Sequence, residues 1–304
     1  MTAGSGLLNL METAMDYCCL FTPCLRLDAL ARKQAFGCGM VVLDLEDAIH
    51  ISEKSAARTR LAEYDFSHLR HLDLLLGLRI NPISTIEGIK DLNLLEKLYR
   101  RGNFPIDLIN VPKVNGPGDL HIYRQLFSAI KPDIQIMPLI ETIAAIDTID
   151  EIAALSDMLL YGQADLSAEM YTPNRHFLDH ARARICIAAA RNGIPAIDTN
   201  SFEIKDMDIL KTECEISHEA GFMAKAVIHP SQVDVIRNVF SIPDSTRETL
   251  LETITNYEST SCGFNIRGDK VVAPPFVLHA RRILSFLDRQ DAGHTAPRVT
   301  KAAE

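Results

Sequence analysis

At 304 residues and 47% hydrophobic content, the chain can bury a sizeable core, as one domain of barrel size, about 250 residues, or as two smaller ones. A formal net charge of -9 excludes a general affinity for nucleic acid, and an acidic substrate would need local Arg, Lys or a metal. No segment reaches the roughly 20 apolar residues of a membrane span, so no membrane partner is expected.

Residues 1–16 read as a loose tail without the basic start and long apolar core of a secretory signal. Tyr17–Pro23 is a first strand, followed by a helix over Leu27–Phe36. Met40–Asp47 is a second strand, apolar and then acidic, and Ser52–Tyr64 a surface helix. Leu74–Asn81 is a third strand with Arg79 near its end. Thr85–Arg100 is a helix with Leu92, Leu95 and Leu98 on one side. Ile106–Lys113 is a fourth strand and His121–Ile130 a helix. Ile134–Thr142 and Met158–Leu166 are strands five and six, joined by an apolar helical segment. Ala181–Arg191 precedes a seventh strand, Ile194–Thr199. Glu213–Ala220 precedes an eighth, Gly221–Pro230.

Near-continuous apolar strands alternating with helices argue for a parallel sheet covered on both faces. Eight such units argue for closure into a (β/α)8 TIM barrel over 17–240, with a doubly wound open sheet as the alternative. The absence of Gly-x-Gly-x-x-Gly and Walker loops weakens any nucleotide-binding version. Beyond Phe240 the pattern changes. Asp244–Tyr257 is a helix, Glu258–Asp269 a polar loop, Phe276–Leu287 a last helix, and 290–304 a disordered tail. This 241–304 piece is too small for its own core and is expected to act as a lid or oligomerisation segment. The seven cysteines, Cys18, Cys19, Cys24, Cys38, Cys186, Cys214 and Cys262, are odd in number and lack a Cys-x-x-Cys. They argue against disulfides and zinc, and for a reducing, cytoplasmic setting.

Charged and polar residues gather at the strand C-termini: Asp44, Glu46, Asp47, Arg79, Asn81, Lys113, Glu141, Asp165, Asp198 and His229. In parallel α/β folds those ends converge. Two carboxylates about 4 Å apart repel by roughly 4 kcal/mol at an effective dielectric of 20. If Glu141 and Asp165 converge, a proton or a divalent cation must lie between them, and an oxygen-only site suits Mg²⁺ or Mn²⁺. The alternative is that each acid caps the helix that follows it.

Leu20-Phe21-Thr22-Pro23, Leu43-Asp44-Leu45-Glu46-Asp47-Ala48, Arg79-Ile80-Asn81, Pro112-Lys113, Glu141-Thr142, Gly162 with Asp165-Leu166, and Gly221-Phe222 with Lys225 and Ile228-His229-Pro230 follow one another in order. In this the chain resembles the HpcH/HpaI aldolase and citrate lyase family, most closely its citrate lyase β-subunit-like and malyl-CoA lyase-like branch, over roughly residues 17 to 285. The resemblance implies a TIM barrel, a Mg²⁺ site, a homo-oligomer (trimer or hexamer), and making or breaking of a carbon–carbon bond beside a carboxylate of a small oxo- or hydroxy-acid. It implies Glu141 and Asp165 as metal ligands and Arg79 as the group that binds the oxo oxygen. Glu46 and Asp47 would hold metal waters and orient Arg79. Backbone N–H groups around Gly162, Ala164 and Asp165 would hold the substrate carboxylate. Arg26 matches an arginine on the phosphate side of the pocket, although Cys24 and Leu25 replace the usual Gly and polar residue before it.

Two departures bear on the chemistry. The acyl-CoA-handling branch carries an acid/base aspartate just before a proline ahead of the last helix, and here that position is Ala273. Asp269 lies four residues upstream, out of reach on the same backbone path. Alanine has no proton to exchange, which sets standard acyl-CoA chemistry, and with it CoA as a cofactor, against the resemblance. The pyruvate aldolases have a histidine where this chain has Asp47, with His50 three residues on. His176 and His180 have i,i+4 spacing but no accompanying metal-protease Glu, and read as solvated. The expectation is therefore a Mg²⁺-dependent lyase or aldolase. An acyl-CoA lyase, or a barrel that binds without turnover, is the alternative.

Overall fold

The computed structural model describes residues 17–30, 38–69, 74–102, 104–172, 174–259, 263–267 and 270–295. The predicted tail over 1–16, most of the helix expected over Leu27–Phe36, and Asp269 lie outside these. The chain divides after Phe240 into two compact units.

In the first unit eight parallel strands close into a barrel in sequence order. They are β1 (Cys18–Pro23), β2 (Met40–Asp44), β3 (Leu75–Arg79), β4 (Leu108–Val111), β5 (Gln135–Ile140), β6 (Leu159–Tyr161), β7 (Ala196–Asp198) and β8 (Ala224–Val227), with β1 pairing β8 to complete the ring. The helices are α1 (Lys54–Glu63), α2 (Ile86–Arg101), α3 (Pro117–Ile130), α4 (Ile143–Asp147), α5 (Ile149–Ala154), α6 (Gln163–Ala168), α7 (Arg175–Asn192), α8 (Met207–Ala220) and α9 (Val233–Phe240). The (β/α)8 barrel expected from the alternating apolar runs is the fold.

Strand periodicity sorts the side chains into two layers. Cys18, Leu20, Val41, Leu43, Leu76 and Leu78 pack with the helices in the main hydrophobic core. Their neighbours Cys19, Met40, Val42 and Leu75 are buried on the other side, inside the barrel. Gly77 belongs to the inner layer, where a Cβ would come within 2.9 Å of Leu108. Helices contribute Leu95, Tyr123, Phe127, Ile185 and Leu210 to the outer core, and full burial of one such side chain is worth about 1.5–3 kcal/mol. Helix starts are fixed by Thr85, Thr142, Asn174 and Asp206, whose side chains accept from backbone N–H groups of the first turn. α7 and α8 end at Gly193 and Gly221, with φ of 67° and 103°, where a Cβ would be strained.

Most expected strands are shorter than their apolar runs. The sixth differs in kind: β6 stops at Tyr161, and Gln163–Ala168 is a helix. Asp165 therefore sits in a helix first turn, not at a strand end. In the second unit α10 (Asp244–Glu258) packs with α11 (Pro274–Thr295). The stretch read as a polar loop, Glu258–Asp269, contains β9 (Asn265–Arg267), which pairs antiparallel with β10 (Lys270–Val272) just beyond it. α11 also runs through residues 290–295, which the sequence assigned to a tail. Among the described residues no helix is long and apolar enough to cross a membrane, and the six cysteines described are free thiols.

Candidate active site

Asp44 and Arg79 are the last residues of β2 and β3 and stand opposite each other in register. Both continue the inward-facing alternation of their strands. Arg79 donates from Nε to Asp44 Oδ1 at 2.9 Å and from Nη2 to Oδ2 at 2.5 Å, a bidentate fork. Its Nη1 lies 3.1 Å from Glu46 Oε2, and its guanidinium stacks 5.2 Å from the centre of the Phe21 ring. Burial alone would lower the Arg79 pKa, but the charges of Asp44, Glu46 and Asp47 outweigh it and hold the guanidinium above its ordinary range. Asp44 was placed in the polar cluster by sequence without a role. It is the residue that fixes Arg79, and strand alternation counted from Met40 would have found it.

The loop after β2 is tied down from below. Asp44 accepts from the backbone N–H groups of Glu46 and Ala48, at 2.8 and 3.3 Å. Lys54, nearly buried, donates to the carbonyls of Leu45 (2.8 Å) and Glu46 (2.7 Å). Asn81 donates to Leu45 O at 3.0 Å and to buried Asp91 at 2.7 Å, and Asp91 in turn holds Arg58 at 3.0 Å. Burial raises the Glu46 carboxyl to about 7 against the pull of Arg79. Asp47 is exposed; its backbone N–H donates to Glu46 Oε2 at 2.9 Å. Orientation of Arg79 thus falls to Asp44 and Glu46.

Glu141 follows β5 and is buried. Its Oε1 accepts from the backbone N–H of Lys113 at 2.7 Å. Burial pushes its carboxyl up to about 8; Lys113 opposes this, while Asp165 and Glu46 add to it. Gly162 makes the position available. A Cβ there would lie 2.6 Å from Glu141 Cβ and 3.1 Å from its Oε2. Gly162 therefore makes room for a carboxylate of the protein, and its own N–H is taken by Ile140 O at 2.9 Å. The ammonium of Lys113 lies 2.5 Å from Asp165 Oδ1 and 3.5 Å from Glu141 Oε1. Lys113 is the one non-glycine residue with positive φ, 53°, among those described, a conformation that costs about 1 kcal/mol or more and concentrates at functional sites.

A cation thus already stands between the two acids. The donor set is all oxygen, and Gly162, by lacking a Cβ, lets the Glu141 carboxylate take its place there. Those features fit a hard divalent ion that takes one or two carboxylates and fills its other positions with water and substrate. Among the described residues no group of three or more His, Cys, Asp or Glu side chains gathers as a ready-made metal cage.

The remaining sequence candidates lie apart from this geometry. Arg26 is exposed on a 3-10 turn after β1. Ala164 is the exception: its side chain is exposed, but it adjoins Asp165 in the first turn of α6. His50 and His229 cap local turns through Ser52 and Ser231. His176 and His180 are exposed on α7. Asp198 and Lys225 face outward and pair with each other at 2.8 Å.

A parallel (β/α)8 barrel with a braced arginine at a strand end, and one carboxylate just after a strand paired with another in the first turn of the helix that follows the next strand, is the architecture of a barrel enzyme. The chain belongs to the HpcH/HpaI aldolase/citrate lyase family, whose model matches residues 18–230. It is 29% identical over 280 residues to a (3S)-malyl-CoA thioesterase of Cereibacter sphaeroides, covering 88% of this chain and 92% of that one. It is 27% identical over 269 residues to the citrate lyase subunit beta of Leuconostoc mesenteroides subsp. cremoris, covering 83% and 86%. Among solved structures it is similar to protein CitE from Mycobacterium tuberculosis in complex with magnesium, acetoacetate and coenzyme A. That match has a TM-score of 0.73 at 25% identity, over 92% of this chain and 99% of that one.

Proposed function

We propose that this chain is a Mg²⁺- or Mn²⁺-dependent carbon–carbon lyase or aldolase acting on a small oxo- or hydroxy-acid. The observation that carries the reading is the pairing of two opposite devices at and just beyond the strand C-termini. One is a cation-seeking pair, Glu141 and Asp165; the other is an anion-seeking guanidinium, Arg79, clamped by Asp44. Glu141 and Asp165 would hold the metal, which when bound polarises a substrate oxo group as a Lewis acid. Arg79 keeps N–H donors free beyond those given to Asp44 and Glu46. It stabilises the negative oxygen that develops as the bond breaks, without first having to reorient. Glu46, with a carboxyl near 7, exchanges a proton within the working range, orients Arg79 and would hold waters of the metal. Asp47 tunes Glu46 through its backbone N–H. Backbone N–H groups of Ala164 and Asp165 receive the substrate carboxylate. Magnesium in the complex of the Mycobacterium protein supports this assignment.

The test is titration calorimetry with oxalate in the presence and absence of Mg²⁺. Oxalate should bind only with the metal. Glu141→Gln and Asp165→Asn should abolish that binding and the metal-dependent turnover while leaving the circular dichroism spectrum unchanged. Full oxalate binding by either variant at limiting Mg²⁺ would refute the site.

A second reading is chemistry on a CoA thioester. It is favoured by the relative named as a malyl-CoA thioesterase and by the coenzyme A of the Mycobacterium complex. Arg26 would then serve the phosphates. Ala273 opposes the condensation or cleavage of acyl-CoA by a lid aspartate, but not thioester hydrolysis. Tight binding of free CoA, lost in Arg26→Ala, would favour this reading. A homo-oligomeric, cytoplasmic enzyme completes the proposal, and light scattering after gel filtration tests the trimer or hexamer.

A further inference from the structure

Lys113 has a part that the reaction as proposed leaves out. Its ammonium stands within 2.5 Å of Asp165 and 3.5 Å of Glu141. A magnesium ion bound by the same oxygens would need them at about 2.0–2.1 Å, so metal and ammonium cannot share the place. The base of the side chain is fixed. The Lys113 N–H is held by Glu141, its carbonyl accepts from Asn115 Nδ2 at 3.1 Å, and the next carbonyl, that of Val114, accepts from Thr142 Oγ1 at 2.8 Å. The tip is not fixed: 35% of the side chain is exposed, and its two contacts are the two acids that a metal would claim.

We propose that Lys113 is the resident counter-ion of the Glu141/Asp165 pair. An incoming divalent ion displaces it, and it then binds a carboxylate oxygen of the acid substrate. This rests on the metal-site reading above. With both acids ionised, Glu141, Asp165 and Lys113 together are negative and repel an anionic substrate. A divalent cation turns the same three groups net positive, with the ammonium now free to donate. Metal therefore binds first and the acid second. Lys113 is a binding and positioning residue at the rim of the site.

The experiment measures two affinities on Lys113→Met and Lys113→Gln. Mn²⁺ binding is read by electron paramagnetic resonance, and oxalate binding to the Mn²⁺-loaded protein by calorimetry. Removal of a half-exposed competing charge should tighten Mn²⁺ by about fivefold, the upper end for such a pair. Oxalate should weaken by about tenfold or more, as expected for the loss of a charged hydrogen bond. Lys113→Arg should retain most of the oxalate affinity. A merely structural lysine would weaken both ligands together. Unchanged or weaker Mn²⁺ binding in both neutral variants overturns the counter-ion role, and unchanged oxalate affinity overturns the substrate contact. Wild-type Mn²⁺ binding that is insensitive to Glu141→Gln would instead overturn the metal-site reading, and this proposal with it.

Discussion

Two lysines of the barrel face carboxylates, and they do opposite things. Lys225 of β8 lies 2.8 Å from Asp198 of β7, on the helix-facing side, with side-chain exposures of 1% and 0%. Ser217 of α8 donates to the same carboxylate, and Arg182 of α7 approaches its other oxygen at 3.6 Å. Lys113 and Asp165 are as close, but 35% and 42% exposed, and Lys113 holds a left-handed backbone to get there. A buried pair with no exit is a fixed joint between sheet and helices. A half-exposed pair on a strained loop is one that a better ligand can take apart. The chemistry of the groups is the same; solvent access separates the joint from the site.

The comparison breaks most visibly at Lys225. Lys225→Met leaves buried Asp198 with only the more distant Arg182; breaking a buried pair typically costs about 3–5 kcal/mol, or on the order of 10 °C in melting temperature. Lys113→Met should move the metal-free melting point by only a few degrees. Comparable losses in differential scanning calorimetry would mean that both lysines are structural.

Arg79→Lys tests the clamped side of the site. Lysine keeps the charge but cannot form the two-pronged contact with Asp44, so it would not be aimed. Turnover should fall by more than about tenfold, or roughly 1.4 kcal/mol of barrier, with the melting temperature little changed. A smaller loss in kcat/KM would return Arg79 to a bracing role.

The metal-free site should also carry a stability cost that depends on pH. Burial lifts the Glu141 carboxyl from an ordinary 4.5 to about 8. A group raised in the folded state favours folding while protonated. Its contribution is full below about 4.5 and is lost as pH rises through about 8. Glu46, raised to about 7, acts in the same direction. Metal-free protein should therefore melt a few degrees lower at pH 9 than at pH 5. Glu141→Gln, which mimics the protonated form, should flatten the slope, and saturating Mg²⁺ should restore the loss at high pH. Equal pH slopes for wild type and Glu141→Gln would show that Glu141 is not the group responsible.

How far these features could be read from the chain depends on their range. The eight strands were legible because each is a continuous apolar run between turns, as at Met40–Leu43 and Leu108–Val111. The hairpin Asn265–Arg267 with Lys270–Val272 was not, since three-residue strands with exposed Ile266 and Val271 carry no such run. Glu141 lay at a strand end as the sequence suggested. Asp165 was displaced into α6 because β6 stops at Tyr161, and a helix of six residues is too short to show a period. The Asp44–Arg79 fork was within reach of alternation counting. The ammonium between Glu141 and Asp165 was not, because no local pattern marks Lys113 for a positive φ.

On stability Ala273 gives the smallest effect, and it is the sharpest test of what the second unit contributes. It follows β10 and immediately precedes α11, and its carbonyl accepts from the N–H groups of Phe276 (3.0 Å) and Val277 (3.3 Å). This is the position where a helix favours an aspartate cap. Pro274 and Pro275 bring no N–H of their own, so Phe276 offers the first donor that a cap could use. Ala273→Asp therefore has two outlets for its carboxylate. As a cap it would stabilise α11 by about 1 kcal/mol, or roughly 2–4 °C. As a free acid/base it would give acetyl-CoA proton exchange that the parent lacks, with a rate gain of about 10²–10⁴-fold. The two outlets compete, because a carboxylate committed to the Phe276 N–H is a weaker base. A higher melting temperature without exchange would make position 273 a structural cap in this chain. Exchange without added stability would show that the side chain turns away from the helix. Strong acyl-CoA lyase activity in the unmodified protein would remove Ala273 from the argument, since the acid/base would then have to come from the barrel itself, with Glu46 the first candidate.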